Sequence, residues 1–168
     1  FLLISDAHIE GPDMPKALTY GRALKWANEL GAQAFADCGD YSNFGKEPEL
    51  EGYWQAVEKN RGNLAPLVTL GNHETLEKSS EELKRYHLGK LAALGAVFEG
   101  YDKLYYEYTA GGCHFLVLSQ ISDTYTITGY KGMWVHAADL KKAQLTWLED
   151  RLKVCSGQGK PVFLFIHN

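Results

Sequence analysis

Four short stretches of this chain place carboxylates, imidazoles and carboxamides directly after apolar runs. They are Ser5-Asp6-Ala7-His8, Gly39-Asp40-Tyr41-Ser42-Asn43, Gly71-Asn72-His73-Glu74 and His167-Asn168. Such a mixture of oxygen and nitrogen donors, with no cysteine in it, suits divalent transition ions such as manganese, iron or zinc rather than a thiolate site. Asp6 and His8 stand two apart, so a continuing strand points both side chains the same way, toward one ion. Gly39 and Gly71 permit tight backbone exits, which lets the next side chain turn inward. Asp40 fits a bridge, because a carboxylate has lone pairs enough for two ions. Two ions about 3.5–4 Å apart form a clamp for phosphoryl displacement. Each stretch alone is a common pattern; their joint occurrence, in order and each after a predicted strand, carries the reading.

The elements that must position these residues are legible in the apolar spacing. Phe1-Leu2-Leu3-Ile4 reads as a short strand ending at Ser5-Asp6. From Pro15 to Leu30 apolar residues recur at helical spacing (Leu18, Ala23, Leu24, Ala27, Leu30), and Gly31 stands where a helix-terminating glycine belongs. Ala32 to Cys38 is a second strand. Leu50 to Asn60 suggests a helix carrying Tyr53, Trp54 and Val57, and Leu67 to Leu70 a third strand. Ser79 to Leu94 reads as a helix capped by Ser79 or Ser80. This alternation predicts an α/β core with largely parallel strands, and in open α/β sheets ligands gather beyond the carboxyl ends of strands.

The middle of the chain changes character. Lys103 to Thr109 and His114 to Ser119 are strand-like around Gly111-Gly112, a hairpin signature. Residues 119 to 138 have no clear period and hold Tyr125, Tyr130, Trp134 and His136, which reads as a functional loop or a disordered stretch. Its aromatics either stack a base or ring or simply pack the loop onto the core. Lys141 to Val154 is helical with Leu145, Leu148 and Leu152 on one face, and Pro161 to Ile166 is a final strand. His87 reads as a helix-surface residue, His114 as a strand residue and His136 as a loop residue.

At 168 residues, 45% hydrophobic and 23% charged, the chain fits one domain with a sizeable core. Its net charge of −4, from 17 Lys plus Arg against 21 Asp plus Glu, does not indicate nucleic-acid binding. No apolar stretch reaches membrane-spanning length. Cys38, Cys113 and Cys155 form no CxxC pair, and Cys38 and Cys113 read as buried thiols. A reducing, cytoplasmic setting is the mild expectation; secretion is the alternative, since the chain starts at Phe1 without Met.

Asp6-x-His8, Gly39-Asp40-x-x-Asn43, Gly71-Asn72-His73-Glu74 and a strand-end His167 together resemble the motif series of the calcineurin-like metallophosphoesterases. Gln144-Leu145-Thr146-Trp147-Leu148 is similar to the helix that often precedes the family's fourth motif. The resemblance spans essentially the whole chain and implies mixed β-sheets packed as a sandwich with helices on the outer faces, in a single domain over residues 1–168. It implies that Asp6 and His8 bind a first metal, Asp40 bridges, and Asn72 and His167 bind a second. His73 would face the substrate and protonate the leaving oxygen or stabilise the transition state, with Glu74 orienting it and raising its pKa. Asn43 and Tyr41 fall on the substrate side. The family's last motif, Gly-His-x-His, has no counterpart here, so the domain is expected to be incomplete at its carboxyl end, with its closing strands missing.

The expected function is metal-dependent hydrolysis of a phosphoric ester, a monoester or a diester, of a phosphorylated small molecule or other phosphoester. No nucleophile-elbow serine motif and no P-loop compete with it. The rivals are a non-catalytic binding scaffold on the same fold and a nuclease of the same chemistry; the presence of His73 argues against the scaffold.

Overall fold

The computed structural model describes residues 1–95, 104–119 and 142–167. Three parallel strands form the first sheet: β1 (Leu2–Ile4), β2 (Ala34–Asp37) and β3 (Ala65–Val68), in that order across the sheet. β2 lies in the middle with all four residues buried, as a near-continuous apolar strand should. β3 carries Pro66, which cannot donate to a ladder and is tolerated because β3 is an edge. The second sheet is mixed: β4 (Tyr106–Ala110) and β5 (Cys113–Val117) are antiparallel, and β5 pairs in parallel with β6 (Val162–Phe165). Gly111 and Gly112, both at positive φ, close the expected hairpin between Ala110 and Cys113.

Among the described residues four α-helices accompany these strands: α1 (Pro15–Glu29), α2 (Glu47–Asn60), α3 (Ser80–Ala93) and α4 (Lys142–Gln158). Pro15 starts α1, where its fixed φ suits the first turn. Ser79 caps α3, accepting from the Glu82 N–H while the Glu82 carboxylate accepts from the Ser79 N–H. Residues of both sheets share one core with Leu24, Leu50, Tyr53, Trp54 and Leu83 from the helices. The sheets are also bonded to each other. The Tyr106 hydroxyl accepts from the Val68 N–H at 2.8 Å, and Thr69 Oγ1 donates to the Leu118 carbonyl at 2.6 Å.

The structure corrects several expected faces. α1 buries Ala17, Tyr20, Gly21, Leu24 and Ala27, while Leu18 and Leu30 are exposed. Leu145 and Leu152 of α4 are exposed too; this helix instead buries Gln144 and Cys155. Gln144 docks α4 by pairing its carboxamide with the Ser119 backbone, accepting from the N–H at 2.9 Å and donating to the carbonyl at 2.8 Å. His87 is buried, not on the helix surface, and donates from Nε2 to the Val68 carbonyl. Cys38 and Cys113 are half-buried, and Cys155 is the fully enclosed thiol. Tyr125, Tyr130, Trp134 and His136 lie outside the described residues. Among the described residues no helix is long and apolar enough to cross a membrane.

Candidate metal and catalytic site

The loops leaving β1 and β2 run side by side before they reach the site. Asp6 N–H donates to the Gly39 carbonyl, His8 N–H to the Asp40 carbonyl and Ile9 N–H to the Tyr41 carbonyl, at 2.8 to 3.0 Å. The backbone does not stay extended here. Asp6, His8 and Asp40 all sit at positive φ, +56°, +47° and +53°, in the left-handed region that non-glycine residues rarely enter. Asp6 and His8 therefore both reach the cleft because the chain turns at each of them, and strand alternation is not the cause; they meet Asp40 in different groups, Asp6 with His167 and His8 with His73. Backbone strain of this kind persists only where surrounding bonds hold it, and it gathers at functional sites.

Glu74 supplies much of that hold. It is fully buried and accepts four hydrogen bonds: from the N–H groups of Asp40, Ser42 and Gly71 and from the Ser42 hydroxyl, at 2.8 to 3.0 Å. Burial pushes its pKa up to about 7, against the pull of those donors. The expectation that Glu74 orients His73 is corrected on this point: its carboxylate ties the β2 and β3 exits together, and the imidazole Nδ1 of His73 bonds instead to the Asn43 carbonyl.

A cleft of about 560 Å³ opens over these turns, lined by Ser5, Asp6, His8, Asp40, Asn72, His73, Ile166 and His167. Asp40 is its centre. Its carboxylate lies within metal-sharing distance of His8 and His73 on one side and of Asp6 and His167 on the other. Asp40 Oδ1 also accepts the His73 N–H at 2.9 Å. His167 donates from Nδ1 to the Cys38 carbonyl at 2.7 Å, which aims Nε2 at Asp40 Oδ2 (3.4 Å) and Asn72 Oδ1 (3.2 Å). Burial opposes charge on His167, but the Asp40 carboxylate outweighs it and lifts the pKa to about 9. Burial likewise works against the Asp40 carboxylate; hydrogen bonds from His167 and His73 prevail and hold it below its ordinary value.

These residues fit divalent ions. His8 Nδ1 is buried with no hydrogen-bond partner, a lone pair or proton that folding leaves unserved. The donors are carboxylate, carboxamide and imidazole atoms, the set that borderline transition ions prefer. The Cys38 backbone carbonyl fixes His167 from behind, as outer partners fix metal-bound histidines generally.

Of the two expected substrate-side residues, one is placed otherwise. Tyr41 is corrected: it is fully buried, stacked on Tyr53 at 3.9 Å, and belongs to the core beneath the site. Asn43 contributes its backbone carbonyl to His73. Asp37, unremarked in the sequence, is the support the apolar pattern of β2 concealed. It is fully buried, accepts the Gly39 N–H at 3.0 Å and the Tyr20 hydroxyl at 2.6 Å, and so shapes the turn that delivers Asp40. An aspartate inside an apolar run was the available signal.

A second cluster, Glu107, His114 and Cys155, also brings ligand atoms together. Its carboxylate is already engaged by Arg151 Nη2 and His114 Nδ1, each at 2.5 Å, and it locks α4 to the hairpin.

Comparison with known proteins agrees with this geometry. The family model described as calcineurin-like phosphoesterase matches residues 1–168. Among solved structures the chain is similar to a dimetal phosphatase from Danio rerio, at 19% identity and a TM-score of 0.63, over 98% of this chain and 68% of that one. No curated protein matches the chain.

Proposed function

Because this chain belongs to the calcineurin-like phosphoesterase family, we propose that it hydrolyses a phosphoric ester at the Asp40-centred cleft. Asp6, His8, Asp40, Asn72 and His167 would hold two divalent ions; the ligand atoms of Asp6 and His167 lie together against the Asp40 carboxylate, and those of His8 lie against it beside His73. When bound, such ions supply Lewis-acid polarisation of the phosphoryl oxygens and an acidified water. The chain's own residues do the rest. The Asn43 carbonyl accepts a hydrogen bond from the Nδ1–H of His73, which leaves Nε2 as the nitrogen available to substrate. A proton held at Nε2 passes to the departing ester oxygen, so the alcohol leaves neutral. The buried Glu74, through Asp40, Ser42 and Gly71, keeps the cradle from relaxing between turnovers.

The observation that carries the reading is the meeting of His8, His73, Asp6 and His167 around one carboxylate. The test is turnover of a phosphomonoester and a phosphodiester by the manganese-loaded full-length chain, with His73→Asn beside it. The variant is expected to lose about 10²- to 10⁴-fold in kcat on an alkyl ester, whose leaving group needs a proton, and much less on a nitrophenyl ester. An equal loss on both would remove the acid role. No turnover of either ester by the wild type would favour a binding scaffold.

A further inference from the structure

Phe44 follows Asn43 directly and is 45% exposed, next to His73, which lines the cleft. Single exposed apolar residues are ordinary; the setting of this one is not. Its ring centroid lies 6.5 Å from that of His73, tilted by 37°. The turn that carries it is clamped on both sides. Ahead of it, the Asn43 carbonyl bonds to His73 Nδ1. Behind it, the buried Glu49 carboxylate accepts the Phe44 N–H at 2.6 Å and the Lys46 N–H at 3.3 Å. Gly45, at φ +70°, presses so closely on the Glu74 carbonyl that an added Cβ would lie 2.5 Å from it. The ring is thus fixed to the segment that presents His73 rather than carried on a free loop. Lys46 Nζ stands 5.1 Å from the ring centroid and occupies one side of it.

We propose that Phe44, backed by Lys46, is the platform for the leaving group, and that the preferred leaving group carries a planar aromatic ring. The assignment rests on His73 being the group that meets the departing oxygen. A leaving group attached to that oxygen would extend past His73, and the Phe44 ring is a fixed surface beside it. An aromatic ring gains from offset or edge contact with another ring beyond what an aliphatic group of equal area gains. Lys46 adds to this by drawing electron density from the far face of the Phe44 ring. The ring could belong to an aryl-type ester or to a nucleotide base, and the two differ in reach.

The experiment measures binding and turnover separately on the manganese-loaded full-length chain. Calorimetry compares benzylphosphonate with cyclohexylmethylphosphonate, which match in size and phosphoryl group but differ in aromaticity. The wild type is expected to prefer the benzyl compound by roughly three- to tenfold, and Phe44→Leu to collapse that ratio toward one. Turnover then compares adenosine monophosphate with ribose 5-phosphate. A ratio that depends on Phe44 in the first pair assigns a close ring, and in the second pair a base; either supports the platform. No aromatic preference in either pair, or a preference that survives Phe44→Leu, overturns it. Phosphonate discrimination that depends on Phe44, without hydrolysis of any ester, would sink the hydrolase reading and the leaving-group role with it, and leave Phe44 an aromatic binding surface only. Hydrolysis without discrimination would keep the hydrolase reading and overturn the platform.

Discussion

At the residue scale, the site turns on which atom each side chain commits to the protein and which it leaves for the cleft. His167 commits Nδ1 to Cys38 and His73 commits Nδ1 to Asn43, so both present Nε2. Glu74 commits both oxygens inward and presents nothing. Its replacement therefore tests structure before catalysis. Glu74→Ala strips three buried N–H groups of their acceptor, each worth about 1–3 kcal/mol when orphaned. Urea unfolding without metal is expected to show a loss of about 3 kcal/mol or more. A variant that unfolds like the wild type while its pH–rate profile shifts would restore the His73-orienting role that the geometry denies it.

At the element scale, the strands serve as rails that end together, and the glycines behind the site set how closely those ends approach. Gly71 lies against Asp40: a Cβ placed there would stand 2.1 Å from Asp40 Oδ1 and 2.5 Å from Asp40 N. Neither position can yield cheaply, since the N–H is held by Glu74 and the carboxylate by His73 and His167. Gly71→Ala is expected to push Asp40 off its position and weaken manganese binding at least tenfold by calorimetry, in a protein with native circular dichroism. Unchanged affinity would mean that the β3 exit has slack the structure does not display.

At the scale of the whole molecule, stability and site share a core whose polar groups are costly to charge. His87 is enclosed by α3, β3 and the aromatic pair Tyr41 and Trp54, and burial lowers its pKa from 6.5 to about 4. Between those two values the unfolded chain binds the proton and the folded chain does not, so this group's contribution falls as pH drops from 6.5 to 4. The window of about 2.5 units corresponds to about 3 kcal/mol at most. His87→Gln removes that titration. The stability gap between wild type and variant, measured by urea unfolding from pH 7.5 to 4.5, should narrow steadily on acidification. A gap that stays constant would show that the ring is charged or solvated in the fold. Asp37 works in the opposite sense. Burial raises its carboxyl to about 7, so the folded chain retains a proton there and loses that advantage as pH rises toward neutrality. The difference between two variants, rather than the raw curve, is thus the quantity to read.

The order strand, helix, strand and the polar residues at each strand end follow from local chemistry. Apolar runs, a capping serine at Ser79 and the Gly111-Gly112 turn act over a few residues, and those are the features sequence spacing encodes. Asp6, His8, Asp40, Asn72, His73 and His167 were all legible in this way, and all line the cleft. What spacing could not encode was which partner each polar atom would meet. Glu74 follows His73 directly yet bonds to Asp40 and Ser42, more than thirty positions earlier, because the turn after β3 points its side chain under the β2 exit. Tyr41 follows Asp40 yet packs into the core, because the left-handed turn at Asp40 sends consecutive side chains to opposite sides. The amino-acid sequence by itself determined the polar residues that line the cleft and their order along the strands. Only the tertiary structure decided which atoms face the cleft and which support it, because that choice rests on contacts between segments whose separation along the chain carries no periodic signal.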